Sequence, residues 1–162
     1  MSYPRKLQIL IVEDDREVAE GHLKLLAEHR DAYPHSPPTV AVSLSAAQEA
    51  IRQPRPFHVV ILDLNLPLKS RETAADGLDP GEQLIDLLAA RDPYPVPVLL
   101  VLSGRLGLLT DLGPVADRLR QDFWHGELAN KGSGQSRAVA RGLDAALRYC
   151  DVGVHVRDAG RA

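Results

Sequence analysis

Two apolar runs in this chain each end in acid. LQILIVEDD closes on Glu13, Asp14 and Asp15, and FHVVILDLNLP carries Asp63 at its end. Carboxylates brought into one crevice repel one another and hold their protons more tightly unless a cation joins them. Three or four together suit a hard divalent cation, most simply Mg²⁺. An aspartate beside bound Mg²⁺ can accept a phosphoryl group. Asp63 is the candidate acceptor. Asp14, Asp63 and the backbone carbonyl of Asn65 are the candidate ligands, with Glu13 acting through water. Ser103 and Lys131, each followed by glycine, complete the set. A hydroxyl donates to a phosphoryl oxygen, and a lysine supplies a mobile point charge.

For these residues to meet, the elements that carry them must end at one edge. Short runs rich in Val, Ile and Leu read as strands buried on both faces, as in a parallel sheet. The first strand spans about Leu7–Val12, and a helix follows from about Arg16 with Val18, Leu23, Leu25 and Leu26 on its buried side. Asp15 reads as a helix-start charge rather than a ligand. A second strand is expected at about Thr39–Val42, and Ser43 or Ser45 caps a helix through about Ile51. The third strand covers about His58–Leu62. A long loop follows, closing on Asp79 as N-cap and Pro80 as the first helical residue. That helix runs to about Ala90. The fourth strand is expected at about Val98–Leu102, a short helix from about Pro114 to Asp122, and a brief fifth strand near Glu127–Asn130. A last helix is expected from about Ser136 to Tyr149, its inner face carrying Val139, Leu143, Ala146 and Cys150. Residues 1–150 read as one domain and residues 151–162 as a loose tail, in which alternating Val152, Val154 and Val156 could add an extension.

Alternating strands and helices imply a doubly wound α/β fold with right-handed crossovers. The expected order is 2-1-3-4-5, whose switch point lies between strands 1 and 3. Asp14 and Asp63 end those two strands, so topology and site chemistry select one crevice.

Bulk properties narrow the functional classes. The chain has 162 residues, enough for one domain with a real core. Its net charge of −3 offers no basic field for nucleic acid and no argument for a membrane surface. A single cysteine, Cys150, excludes an internal disulfide and fits a reducing cytoplasm. No apolar stretch has the length of a transmembrane helix. The six histidines show no paired metal-ligand spacing, and surface or structural roles are expected for all of them.

The chain resembles a receiver domain of the two-component response regulators. The resemblance rests on Glu13-Asp14 in ILIVEDD, Asp63 in VVILDLNLP with Pro67 beyond it, Asp76-Gly77, Ser103-Gly104 and Lys131-Gly132. It covers about Lys6 to Tyr149. Each motif alone is weak, but all of them in order, each at its own strand end, make a specific signal. The resemblance implies a flavodoxin-like fold and phosphoryl transfer to Asp63 from a sensor histidine kinase or phosphotransfer protein, with Mg²⁺ required. It implies slow self-catalysed hydrolysis rather than an enzyme acting on a free substrate. It also implies output through protein contacts on the face built from helix 4, strand 5 and helix 5.

Three features depart from that family. The loop around Lys69–Ala75 is an insertion. The stretch from Ser103 to Lys131 is long and glycine-rich. Leu128 stands where the family usually has a switching aromatic, with Phe123 and Trp124 out of register, and Gly132 replaces the usual proline. Other readings are weighed on the same residues. A haloacid-dehalogenase-like phosphatase needs a second aspartate two positions after Asp63, where Asn65 stands. A flavin-binding flavodoxin needs a phosphate-cradling loop after strand 1, where EDDRE would repel the phosphate. A receiver-like scaffold that binds a partner without phosphorylation is favoured by the altered switch and opposed by the intact acids.

Overall fold

A computed structural model of the chain describes residues 6–53, 57–63, 80–90, 96–103, 113–132 and 134–159. Ten elements alternate along it: β1 (Ile9–Val12), α1 (Arg16–Glu28), β2 (Thr39–Ala41), α2 (Leu44–Arg52), β3 (Val59–Asp63), α3 (Pro80–Ala89), β4 (Val98–Ser103), α4 (Gly113–Asp122), β5 (His125–Asn130) and α5 (Gln135–Ala159). The strands form one five-stranded sheet in the order β2-β1-β3-β4-β5, every pair parallel. This is the doubly wound topology expected from the alternation.

The strands read as continuous apolar runs because both faces of the sheet are covered. Successive side chains point to opposite faces. Leu10, Val12, Val60, Leu62, Leu99 and Val101 therefore meet Leu44, Ala47 and Ile51 of α2, Leu84, Ile85 and Leu88 of α3, and Leu119 of α4. Their alternates Ile9, Ile11, Val59, Ile61, Val98, Leu100 and Leu102 meet Leu26 of α1 and Val139, Leu143 and Ala146 of α5. Two apolar cores thus sandwich the sheet, and the central strands β1, β3 and β4 are locked in register.

Several boundaries differ from the sequence reading. Leu7 lies ahead of β1 and makes an isolated bridge to His35. β2 stops at Ala41, leaving Val42 exposed. Ser43, rather than Ser45, caps α2, its hydroxyl accepting from Ala46 N–H at 3.1 Å. β5 starts at His125, because its backbone pairs there with the start of β4 at Val98. On α1, Ala19, His22 and Leu26 are the buried residues, while Leu23 and Leu25 are only partly buried. The largest correction concerns the expected tail. α5 continues to Ala159, so the alternating valines form neither a strand nor a loose end. The segment VGVHVRDA has no proline. Extending an existing helix adds one hydrogen bond for each residue fixed, so propagation is far easier than nucleation.

Candidate functional site

Two strand ends bring the acids together. β1 stops at Val12, and the chain turns through Glu13, Asp14 and Asp15 into α1. Asp15 is the N-cap of that helix: its carboxylate accepts from Glu17 N–H at 2.9 Å and Val18 N–H at 3.2 Å. It is the helix-start charge. Glu13 is still held as an extension of the strand, donating its N–H to Ala41 O at 3.0 Å. Its side chain folds back into the crevice, where Oε1 accepts from Asp15 N–H at 3.2 Å. β3 carries Asp63 as its last residue, 5% exposed.

Lys131 follows β5 and joins this group from the far side of β4. Its Nζ lies 2.9 Å from Glu13 Oε2 and 3.2 Å from Asp63 Oδ2. The ammonium is the partner of Glu13 Oε2, which is buried and has no other polar contact among the described residues. Burial pushes the Glu13 carboxyl up to about 7; Lys131 opposes that rise and the Asp63 charge adds to it. Burial also pulls on the Lys131 ammonium, but the two carboxylates outweigh it and hold the amine above its usual value. The site is a pair of buried acids around one cation.

Carboxylate oxygens of Glu13, Asp14 and Asp63 lie within 4.8 Å of one another, with Asp14 exposed at the mouth. Hard oxygen donors in this number, two of them buried and one open to solvent, fit Mg²⁺. Glu13 belongs to the same cluster as Asp14 and Asp63. Ser103 ends β4 at the same edge. In register, Asp63 pairs with Leu102 and Ser103 with Asn130, one step before Lys131. Asn65, the Lys69–Ala75 insertion and Asp76-Gly77 lie outside the described residues.

The aromatics near α4 are not at this edge. Phe123 is buried in the core and Trp124 packs edge-on against Tyr149, ring centroids 5.6 Å apart. Both precede the six residues of β5, and at about 3.3 Å per residue they stand roughly 20 Å along the strand from Lys131. Leu128 pairs with Val101 in mid-strand and packs on the core.

Two site neighbours were not singled out by sequence reasoning. His22 is 1% exposed on α1, and its Nδ1 lies 2.6 Å from Gln135 Nε2 at the start of α5. An expected structural histidine is thus a buried partner of the loop carrying Lys131. Gln135 gave no signal, since one glutamine after a glycine-rich turn is unremarkable in sequence.

No protein-family model and no curated protein matches the sequence. Solved structures do match the fold. A CheY-like response regulator receiver domain from Methylobacillus flagellatus is 20% identical, with 88% of this chain and 99% of that one aligned and a TM-score of 0.59. A two-component response regulator from Cytophaga hutchinsonii is 18% identical over 89% and 99%, TM-score 0.63. The signal receiver domain of an HD domain-containing protein from Pseudomonas fluorescens Pf-5 is 16% identical over 96% of both, TM-score 0.66. No described helix is long and apolar enough to cross a membrane. The chain has the fold of the response regulator receiver domains.

Proposed function

We propose that residues 1–150 act as a phosphoacceptor receiver domain in cytoplasmic two-component signalling. The observation that carries this reading is buried Asp63 held 3.2 Å from Lys131 Nζ at the sheet's switch-point edge, beside Glu13 and Asp14. A buried carboxylate with a resident cation and an acidic rim is an arrangement for handling a phosphoryl group, not for simple capping.

An Asp63 oxygen attacks the phosphorus of a phosphohistidine on a sensor histidine kinase or phosphotransfer protein. The new P–O bond forms as the P–N bond breaks, and the imidazole leaves with its electron pair and takes up a proton. Asp14, Asp63 and the Asn65 carbonyl, with Glu13 through water, would hold Mg²⁺, which would neutralise phosphoryl oxygens. Lys131 exchanges its contact with Asp63 for one with the new phosphoryl group. Ser103 donates to another phosphoryl oxygen. The signal leaves through protein contacts.

An acyl phosphate is cleaved by hydroxylamine, whereas a serine phosphate is not. The protein labelled with acetyl phosphate and Mg²⁺ should lose its label to neutral hydroxylamine. A resistant label would place the phosphoryl group on a hydroxyl and overturn the assignment. A second reading, a scaffold that binds its partner unphosphorylated, rests on Leu128 and on the distance of Phe123 and Trp124 from the site. A chain that takes no label at all would favour it.

A further inference from the structure

Lys131 has four rotatable side-chain bonds and must cross β4 to reach Asp63. Its aim therefore depends on where its own backbone is fixed. The next residue, Gly132, has φ 97°, in the left-handed region that L side chains rarely adopt. A Cβ there would meet nothing within 4 Å, so glycine is needed for the backbone angle and not for space. Glycine is also the residue least able to hold an angle unaided.

The restraint comes from two side chains. Gly132 N–H donates to Gln135 Oε1 at 3.3 Å. The same amide presents Nε2 to His22 Nδ1 at 2.6 Å. A backbone N–H can only donate, so Oε1 must face Gly132 and Nε2 must face the imidazole. The imidazole then accepts at Nδ1 and carries its proton on Nε2. That tautomer requires a neutral ring. Burial pulls the His22 pKa down to about 4; the Lys131 charge adds to this and Asp63 opposes it. The hydrogen bonds thus run from the turn, through the first residue of α5, to a buried ring on α1.

We propose that Gln135, backed by His22, is a positioning residue that fixes the Gly132 turn and thereby aims Lys131 at Asp63. The inference deepens the proposed function, which supplies the purpose of that aim, but the aim itself can be measured independently. Gln135 touches neither Asp14 nor Asp63 among the described contacts, so it acts on the lysine and not on the metal ligands.

The test uses Gln135→Ala and Gln135→Glu in the full chain. Glutamate restores the acceptor for Gly132 N–H, and its second oxygen can accept from His22 in the other tautomer. Three readouts separate the roles: the exchange rate of the Lys131 ammonium protons by ¹⁵N NMR, Mg²⁺ affinity, and the rate of phosphorylation by acetyl phosphate. Gln135→Ala should speed ammonium exchange and slow phosphorylation about tenfold, the worth of one hydrogen bond, with Mg²⁺ affinity unchanged. Gln135→Glu should recover both rates. Unchanged Lys131 exchange in Gln135→Ala would overturn the inference. So would Mg²⁺ affinity falling in step with rate, or no rescue by glutamate, since each marks a general structural effect. A wild-type chain that takes no phosphoryl group would sink the proposed function, and Lys131 exchange would still decide the positioning role.

Discussion

Lys131 Nζ stands 3.2 Å from Asp63 Oδ2 although the residues end strands separated by β4. The ammonium bridges Asp63 and Glu13, and under the proposed function it would turn to a phosphoryl group on Asp63. Lysine suits this role because its charge is a compact point on a mobile stem. Lys131 is the counter-ion that lets two buried acids coexist.

Lys131→Ala removes that counter-ion. The variant should fold but lose about 2 kcal/mol in the absence of Mg²⁺, because two buried carboxyls are left facing each other. Mg²⁺ should then stabilise Lys131→Ala more than wild type, and Asp14→Ala should show a smaller Mg²⁺ shift than either. Thermal melts with and without Mg²⁺ check all three. Equal shifts in the three proteins would remove both the counter-ion role and the ligand set.

His22 predicts a pH dependence of stability. Its folded pKa, about 4, lies below the unfolded value of 6.5. The unfolded chain therefore binds a proton on this ring before the folded one does. The full contribution is present above pH 6.5, and stability falls as pH drops from there toward 4, by up to about 3 kcal/mol. Glu13 works in the opposite sense, because its carboxyl is raised to about 7 in the fold. Between about pH 4.5 and 7 the folded chain holds that extra proton, so stability is lost as pH rises. Comparing wild type with His22→Leu isolates the histidine. Urea unfolding at pH 7.5 and 5 should show a smaller acid loss in the variant. Equal losses would mean that His22 is protonated in the fold.

Gly126 and Gly21 predict opposite outcomes for the same substitution. A Cβ on Gly126 would lie 2.2 Å from Leu119 O, where β5 meets the backbone of α4. Gly126→Ala should cost about 2 kcal/mol or more by forcing α4 off the sheet. Gly21 lies within α1 with nothing within 4 Å of its Cβ position. Gly21→Ala should stabilise by roughly 0.5–1 kcal/mol through helix propensity. Chemical denaturation of the two variants measures both.

Most of the fold was legible because both faces of the sheet are buried. VVILD and VLLVLS can only be central strands in such a chain, and the breaks between them fix the element order. The placing of Glu13, Asp14, Asp63 and Lys131 at one edge was legible because each lies at a strand end or within two residues of it. What the sequence hid depends on partners distant along the chain. The contact between Lys131 and Glu13 joins residues 118 positions apart and has no local signature. His22 and Gln135 are 113 positions apart and meet only after α1 and α5 pack on the same face. The reach of α5 past Tyr149 was missed because alternating valines favour strand, whereas propagation of an existing helix prevailed.

The most direct measurement is intact mass after incubation with Mg²⁺ and acetyl phosphate, for wild type and Asp63→Asn side by side. Asp63 is the buried carboxylate at the end of the central strand with Lys131 against it. Wild type should gain one phosphoryl group and Asp63→Asn none. An unshifted wild type, or a stoichiometric shift that persists in Asp63→Asn, would contradict the account.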